Sequence, residues 1–164
     1  MKTLFLLRHA KSSWNDSNLQ DFDRPLNARG KKGAELIAAF IKKEKVSPDL
    51  IISSPAVRAR ETIEIIVKAA KPPAELRFDQ RIYEATSLVL NEVISQIEED
   101  KSSVLLVGHN PGMENLLEML TGQVGNMATA TLARIDLKAD KWTRALEGQG
   151  KLEWLVKPKD LESG

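Results

Sequence analysis

The chain contains two histidines, His9 and His109, and each directly follows an uninterrupted apolar run. Leu4-Phe5-Leu6-Leu7 leads into Arg8-His9, and Val104-Leu105-Leu106-Val107 leads into Gly108-His109. Neutral imidazole is a nucleophile and proton carrier near neutral pH, and guanidinium is a permanent fork of donors for phosphate oxygens. A further cation, Arg58, falls in the first turn of a helix expected after the short run Leu50-Ile51-Ile52. Two arginines and two histidines facing one crevice suit a dianionic phosphoryl group. Asn110-Pro111-Gly112 opens a helix after His109, so its free backbone N–H groups are expected to add to the anion site. Gly112 would let that backbone come close. Arg60 is expected to be a surface cation paired with Glu64 at i+4 rather than a second phosphate ligand.

These residues share a crevice only if their runs are parallel strands. Apolar runs of four bounded by turn residues read as buried strands, and ligands of open α/β sheets bind beyond the strands' carboxyl ends. Between them the pattern is helical. Ala34, Ile37, Ala38 and Ile41 follow i, i+3, i+4, i+7 spacing from Ala28, with Lys42 to Lys45 as a charged last turn before Pro48. Ser54 is expected to cap a second helix that has Pro55 at its first position, runs to Ala70 and stops at Lys71-Pro72-Pro73. Leu76 and Phe78 suggest a strand, Ile82 to Ala85 a loop, and Ser87 to Glu99 a helix capped by Thr86. A helix from the Asn110-Pro111-Gly112 turn to Leu120 follows. Ala130 to Leu137 alternates as a strand, and Lys151 to Val156 is its partner, joined through a polar turn at Lys138 to Lys141 and a Gly148-Gln149-Gly150 bend. The reading is an α/β fold with a mainly parallel sheet and a C-terminal hairpin. The alternative, α+β, needs antiparallel early strands, which the intervening helices disfavour.

At 164 residues the chain reads as one domain spanning 1–164. It has no cysteine, which excludes disulfides, thiolate catalysis and Cys-ligated metals. Lys plus Arg number 24 against 23 Asp plus Glu, so nothing advertises binding to nucleic acid or a membrane. The N-terminal apolar run is too short for a secretory segment, and a cytoplasmic location is the expectation. The stretch from Lys11 to Gly30 is polar and longer than an ordinary strand–helix connection, which marks it as functional. Asp21 and Asp23 within it read as solvated or capping carboxylates.

Four ordered motifs carry a resemblance. Arg8-His9-Ala10, extended by Lys11-Ser12-Ser13-Trp14-Asn15, resembles the Arg-His-Gly signature of the histidine phosphatase superfamily, whose members are phosphoglycerate mutase-like. Arg24-Pro25-Leu26-Asn27-Ala28-Arg29-Gly30, Ser54 to Thr62 around Arg58, and Gly108-His109-Asn110-Pro111-Gly112 are similar to its further motifs. Short length and Ala10 in place of glycine are most similar to the phosphohistidine phosphatase SixA group. The resemblance implies a three-layer α/β/α sandwich, phosphoglycerate mutase-like. It also implies a phosphohistidine intermediate on His9 and a phosphate pocket of Arg8, Arg58 and His109. Ser12, Asn15 and Asn110 are implied as further phosphate contacts. Glu84 resembles the general acid of larger relatives that cleave alkyl phosphates.

The expected activity is a metal-independent, cofactor-free phosphatase acting on phosphohistidine in a partner protein. Imidazole leaves more readily than an alkoxide, so such an enzyme needs little from Glu84. A small-molecule phosphomonoesterase and a non-catalytic phosphate-binding module remain open. The oligomeric state is not legible.

Overall fold

A computed structural model describes residues 1–147 and 149–162; of the bend expected at 148–150, Gly148 lies outside the described residues. The strands are β1 (Lys2–Arg8), β2 (Leu50–Ser53), β3 (Glu75–Phe78), β4 (Ser103–Gly108), β5 (Leu132–Leu137) and β6 (Lys151–Val156). They form one six-stranded sheet in the order β3-β2-β4-β1-β5-β6. β1 to β4 are mutually parallel, and β5 runs antiparallel to both β1 and β6. The register Leu7↔Val107 and Arg8↔Gly108 ends β1 and β4 level with each other, so His9 and His109 emerge side by side.

The period-two alternation of strand side chains sorts the apolar runs into two layers. Leu4, Leu6, Val104 and Leu106 pack with α3 (Ser87–Ser95) and α4 (Gly112–Thr121) on one face. Phe5, Leu7, Leu105 and Val107 pack with α1 (Ala28–Lys43) and α2 (Val57–Ala70) on the other. Both faces of the central strands are therefore covered, as an all-apolar strand requires. The result is the α/β/α sandwich expected from the sequence. A short α5 (Pro158–Leu161) packs beside α1. Among the described residues, no helix is long and apolar enough to cross a membrane.

Several local expectations are corrected. Ser54 does not cap α2: that helix begins at Val57 with Ala56 before it, and the buried Ser54 hydroxyl is engaged elsewhere. α1 ends at Lys43, because Lys45 turns into the left-handed region at φ 54°. α3 ends at Ser95 rather than Glu99, because the N–H groups of Gln96 and Ile97 bond carbonyls three residues back and tighten the last turn. β5 starts at Leu132 rather than Ala130, because Ala130 adopts φ 59° and spends its N–H on the His9 carbonyl. Thr86 does cap α3, its hydroxyl accepting from Val89 N–H at 3.3 Å.

Gly30 fixes how α1 approaches β1's end. A Cβ on it would lie 2.0 Å from the Lys11 carbonyl oxygen, whereas a Cβ on Gly33, one turn later, meets nothing nearer than 3.5 Å. Gly30→Ala is expected to destabilise the fold by about 1–3 kcal/mol through overpacking against backbone. Gly33→Ala is expected to be neutral or stabilising by up to about 1 kcal/mol from helix propensity. Denaturant midpoints of the two variants check this, and equal midpoints would contradict it.

Candidate active site

Burial is the first property of the cluster at the sheet's carboxyl end. His9, Arg58 and His109 are 6, 6 and 8% exposed, and Arg8 is half-buried beside them. The two imidazole centroids are 5.1 Å apart. His9 Nδ1 lies 2.7 Å from the Ala10 carbonyl, an acceptor only, so Nδ1 carries the proton and Nε2 keeps its lone pair. His109 Nε2 lies 2.7 Å from Ser54 Oγ, which also accepts from Ala56 N–H. This is where the hydroxyl expected at a helix cap is used.

Among the described residues, three nitrogens in this cluster, Arg8 Nε, Arg58 Nε and His109 Nδ1, are buried without a hydrogen-bond partner. Arginine Nε–H is always a donor, and a buried unmet donor costs roughly 1–3 kcal/mol. An oxyanion drawn against the guanidinium groups would supply acceptors of this kind. Both guanidinium groups are also anchored: Arg8 Nη1 donates to the Met127 carbonyl at 3.1 Å. Arg58 Nη1 and Nη2 donate to Asp21, to its carbonyl at 2.7 Å and its carboxylate at 3.0 Å. The forks are thereby held while one edge of each stays unspent.

Asp21 is the residue that sequence reasoning missed. It is neither merely solvated nor capping. Its carboxylate accepts from Arg58, from Arg24 Nε and Nη2 at 3.2 and 3.0 Å, and from Tyr83 Oη at 2.6 Å. Although partial burial raises its pKa, these hydrogen bonds together hold it down at about 2. Burial and the Asp21 charge push the Tyr83 hydroxyl up to about 12, so it stays a donor. The Tyr83 ring in turn stands edge-on to His109 at 5.6 Å. Arg24 lies over exposed Trp14 at 3.6 Å and donates to Ser12 Oγ at 2.6 Å. The only sequence signal for this network was Asp21 standing three residues before Arg24.

The remaining candidates sit at differing distances from this centre. Ser12 reaches it through Arg24. Asn110 Nδ2 donates to the Met127 carbonyl at 2.9 Å, so its amide braces the same loop that Arg8 holds. Asn15 is exposed, and its backbone N–H turns back to Ser13 Oγ at 3.1 Å. Glu84 is exposed at the rim next to Tyr83, in the left-handed region at φ 56°, and makes no hydrogen bond among the described residues. Arg60 pairs with Glu64 at 3.4 Å, as its spacing suggested. At the start of α4, Met113 N–H is spent on the His109 carbonyl, and the close approach expected at Gly112 is to the Ala85 carbonyl, which a Cβ would meet at 2.3 Å, rather than to a ligand. Ala10 needs no glycine conformation: it is fully buried at negative φ, its N–H donating to Thr62 Oγ1 at 2.9 Å.

An α/β sandwich with arginines and histidines at the carboxyl ends of parallel strands defines a phosphoryl-handling class of protein. The family model of the histidine phosphatase superfamily (branch 1) matches residues 4–87. An uncharacterised chloroplastic protein of Arabidopsis thaliana is 34% identical over 96% of this chain and 78% of its own. Phosphohistidine phosphatase SixA of Escherichia coli K12 is 26% identical over 97% of this chain and 96% of its own. A solved structure from Agrobacterium tumefaciens, described as a candidate phosphohistidine phosphatase SixA, is 32% identical. It superposes with a TM-score of 0.83 over 96% of this chain and 98% of that one. The chain belongs to the histidine phosphatase superfamily, in its SixA-like group, and is a phosphatase.

Burial, with the repulsion of Arg58 and Arg8, lowers His9 to about 3 and His109 to about 4. Both rings are uncharged at neutral pH. In the unfolded chain each protonates near 6.5, so between about pH 6.5 and pH 4 the unfolded state binds more protons. Stability is therefore expected to fall as pH falls through that window, by at most about 1.4 kcal/mol per group per pH unit. Imidazole C–H resonances of the free protein should not titrate between about pH 8 and pH 5. A ring titrating near its ordinary value would contradict the electrostatic picture.

Proposed function

We propose that the protein removes phosphoryl groups through a covalent intermediate on His9, and that its substrate is phosphohistidine borne by another protein. The observation that carries the mechanism is the pairing of a free His9 Nε2 with the three unmet buried nitrogens around it. A phosphate binder needs only the cations. A neutral imidazole with its lone pair held ready is the added part that chemistry needs.

In the first step His9 Nε2 attacks phosphorus in line with the leaving imidazole of the substrate. The N–P bond to His9 forms as the substrate's N–P bond breaks, and the substrate ring, already protonated on its other nitrogen, leaves as neutral imidazole. The positive charge gained by the His9 ring is shared with the Ala10 carbonyl through Nδ1–H. Arg8, Arg58 and His109 stabilise the charge on the non-bridging oxygens, which is the main catalytic demand of phosphoryl transfer. In the second step water attacks the phosphoryl group, inorganic phosphate leaves, and His9 returns to its neutral form.

A protein substrate is favoured by the rim. Trp14 and Leu88 are 77 and 70% exposed, on the loop after β1 and at the start of the helix after β3, at the sheet's carboxyl end. Exposed apolar side chains beside a polar site suit contact with a protein surface. The Escherichia coli relative bears the name of a phosphohistidine phosphatase, which supports this reading.

His9→Ala is expected to abolish turnover, with the denaturant midpoint retained. Brief reaction of the wild type with a labelled phosphoramidate should trap an acid-labile, base-stable phosphoenzyme that the variant lacks. An acid-stable adduct would identify a hydroxyl nucleophile and overturn the mechanism. The left-handed conformation of Glu84, sterically unfavourable for a residue with a Cβ, marks it as the place to test for a general acid. Glu84→Gln should lower kcat/KM on alkyl phosphates by about a hundredfold, and on phosphohistidine or aryl phosphates only slightly. Equal losses on all three would show a positioning role instead.

A further inference from the structure

A second concave site shares a wall with the His9 cluster. The wall is the 127–130 loop. Its Met127 carbonyl accepts from Arg8 and Asn110 on the site's side, and its Ala130 N–H bonds the His9 carbonyl. Ala128, Thr129 and Ala130 line a cavity of about 660 Å³ on its other side, together with Ala10 and Lys11, the two residues that follow His9. α1 and the 157–162 segment close it.

The charge of this cavity sets it apart. Lys11, Arg29, Lys32, Lys157 and Lys159 line it against a single carboxylate, Glu162. The whole chain, by contrast, carries a net charge of +1. Among the described residues none of these five cations makes an ion pair, whereas Arg60, Arg81 and Arg134 each sit on a neighbouring carboxylate. Lysines and arginines converging in a concavity raise the local concentration of anions and speed their capture. A monophosphate held at His9 lies across the backbone wall from these groups. A ligand that touches both must be a chain passing over the loop at exposed Ala128.

We propose that this basic cavity is a docking site for an acidic segment of the same protein that presents its phosphohistidine to His9. The inference rests on the phosphoprotein reading above. It makes substrate choice a two-point match: phosphoryl group at the buried cluster, carboxylates in the cavity. Complementary charge of this kind acts on encounter and selectivity, while the chemistry at His9 proceeds unaltered.

The test uses Lys32→Glu/Lys159→Glu, both exposed positions outside the phosphate cluster. Binding of a labelled Asp/Glu-rich peptide without phosphate is measured by anisotropy at low and high salt, with a neutral peptide and a short RNA as competitors. The wild type should bind the acidic peptide in a salt-sensitive manner, the double variant about tenfold or more weakly. Turnover is measured on two phosphohistidine peptides, acidic-flanked and neutral-flanked, and on an aryl phosphate. The double variant should lose about tenfold in kcat/KM on the acidic-flanked peptide alone. Equal binding of acidic and neutral peptides, or tighter binding of the RNA, overturns the proposal, as does an equal loss on the aryl phosphate. Salt-sensitive acidic-peptide binding with no turnover of either phosphohistidine peptide would instead overturn the phosphoprotein substrate, and with it the cavity's place in substrate choice.

Discussion

The structure depends on a pair of guanidinium groups, Arg58 buried and Arg8 half-buried, with part of their hydrogen-bonding capacity unused among the described residues. Burying a charge without a partner is among the costliest things a fold can do, so partners are supplied on one side only. Asp21 clamps Arg58 from the rim, and the Met127 carbonyl takes one nitrogen of Arg8. The Nε atoms and His109 Nδ1 are left over. Their penalty is offset by the two apolar layers that cover the central strands. Guanidinium groups held in place in this way are suited to charge developing on a phosphoryl group.

The same burial that strains the cations prepares the imidazoles. Repulsion by Arg58 and Arg8, added to desolvation, keeps both rings neutral. Each ring thus keeps an unprotonated nitrogen, and a dianion placed beside them would relieve the repulsion. Orientation comes from ordinary polar chemistry: the Ala10 carbonyl fixes one tautomer, and Ser54 steers the other ring. Thr62 joins the two arms, accepting from Ala10 N–H and donating to the Arg58 carbonyl at 2.7 Å.

Backbone contacts hold the loops that carry these groups. α1 is set against Lys11 by the absence of a side chain on Gly30, and α4 against Ala85 by the same absence on Gly112. β5 returns antiparallel beside β1, and the turn before it is tied through Ala130 to His9. Positions reached from four different strand ends become one site because the strands are level. The charges follow the same economy of placement, with near-neutrality overall and cations gathered around a cavity next to the site.

The sandwich, its strand and helix order, and the convergence of Arg8, His9, Arg58 and His109 were legible because each rests on local patterns. Apolar runs of four, i, i+3, i+4, i+7 spacing, and polar residues directly after strands are properties of neighbouring residues, as are the four motifs. Thr86 and Arg60 were legible for the same reason, since a cap and an i+4 pair are contacts within one helix. What the sequence could not decide were contacts between residues far apart in the chain. Ser54 was a reasonable cap until His109, fifty-five residues on, claimed its hydroxyl. Asp21 looked solvated until the fold brought Arg58 and Tyr83 to it from two other elements. Gly112 was assigned to a ligand when its neighbour is the Ala85 carbonyl. Periodicity reports which face of an element is apolar, and so it determines layers. The partner of a polar atom is set by the relative placement of whole elements, and that is a tertiary decision.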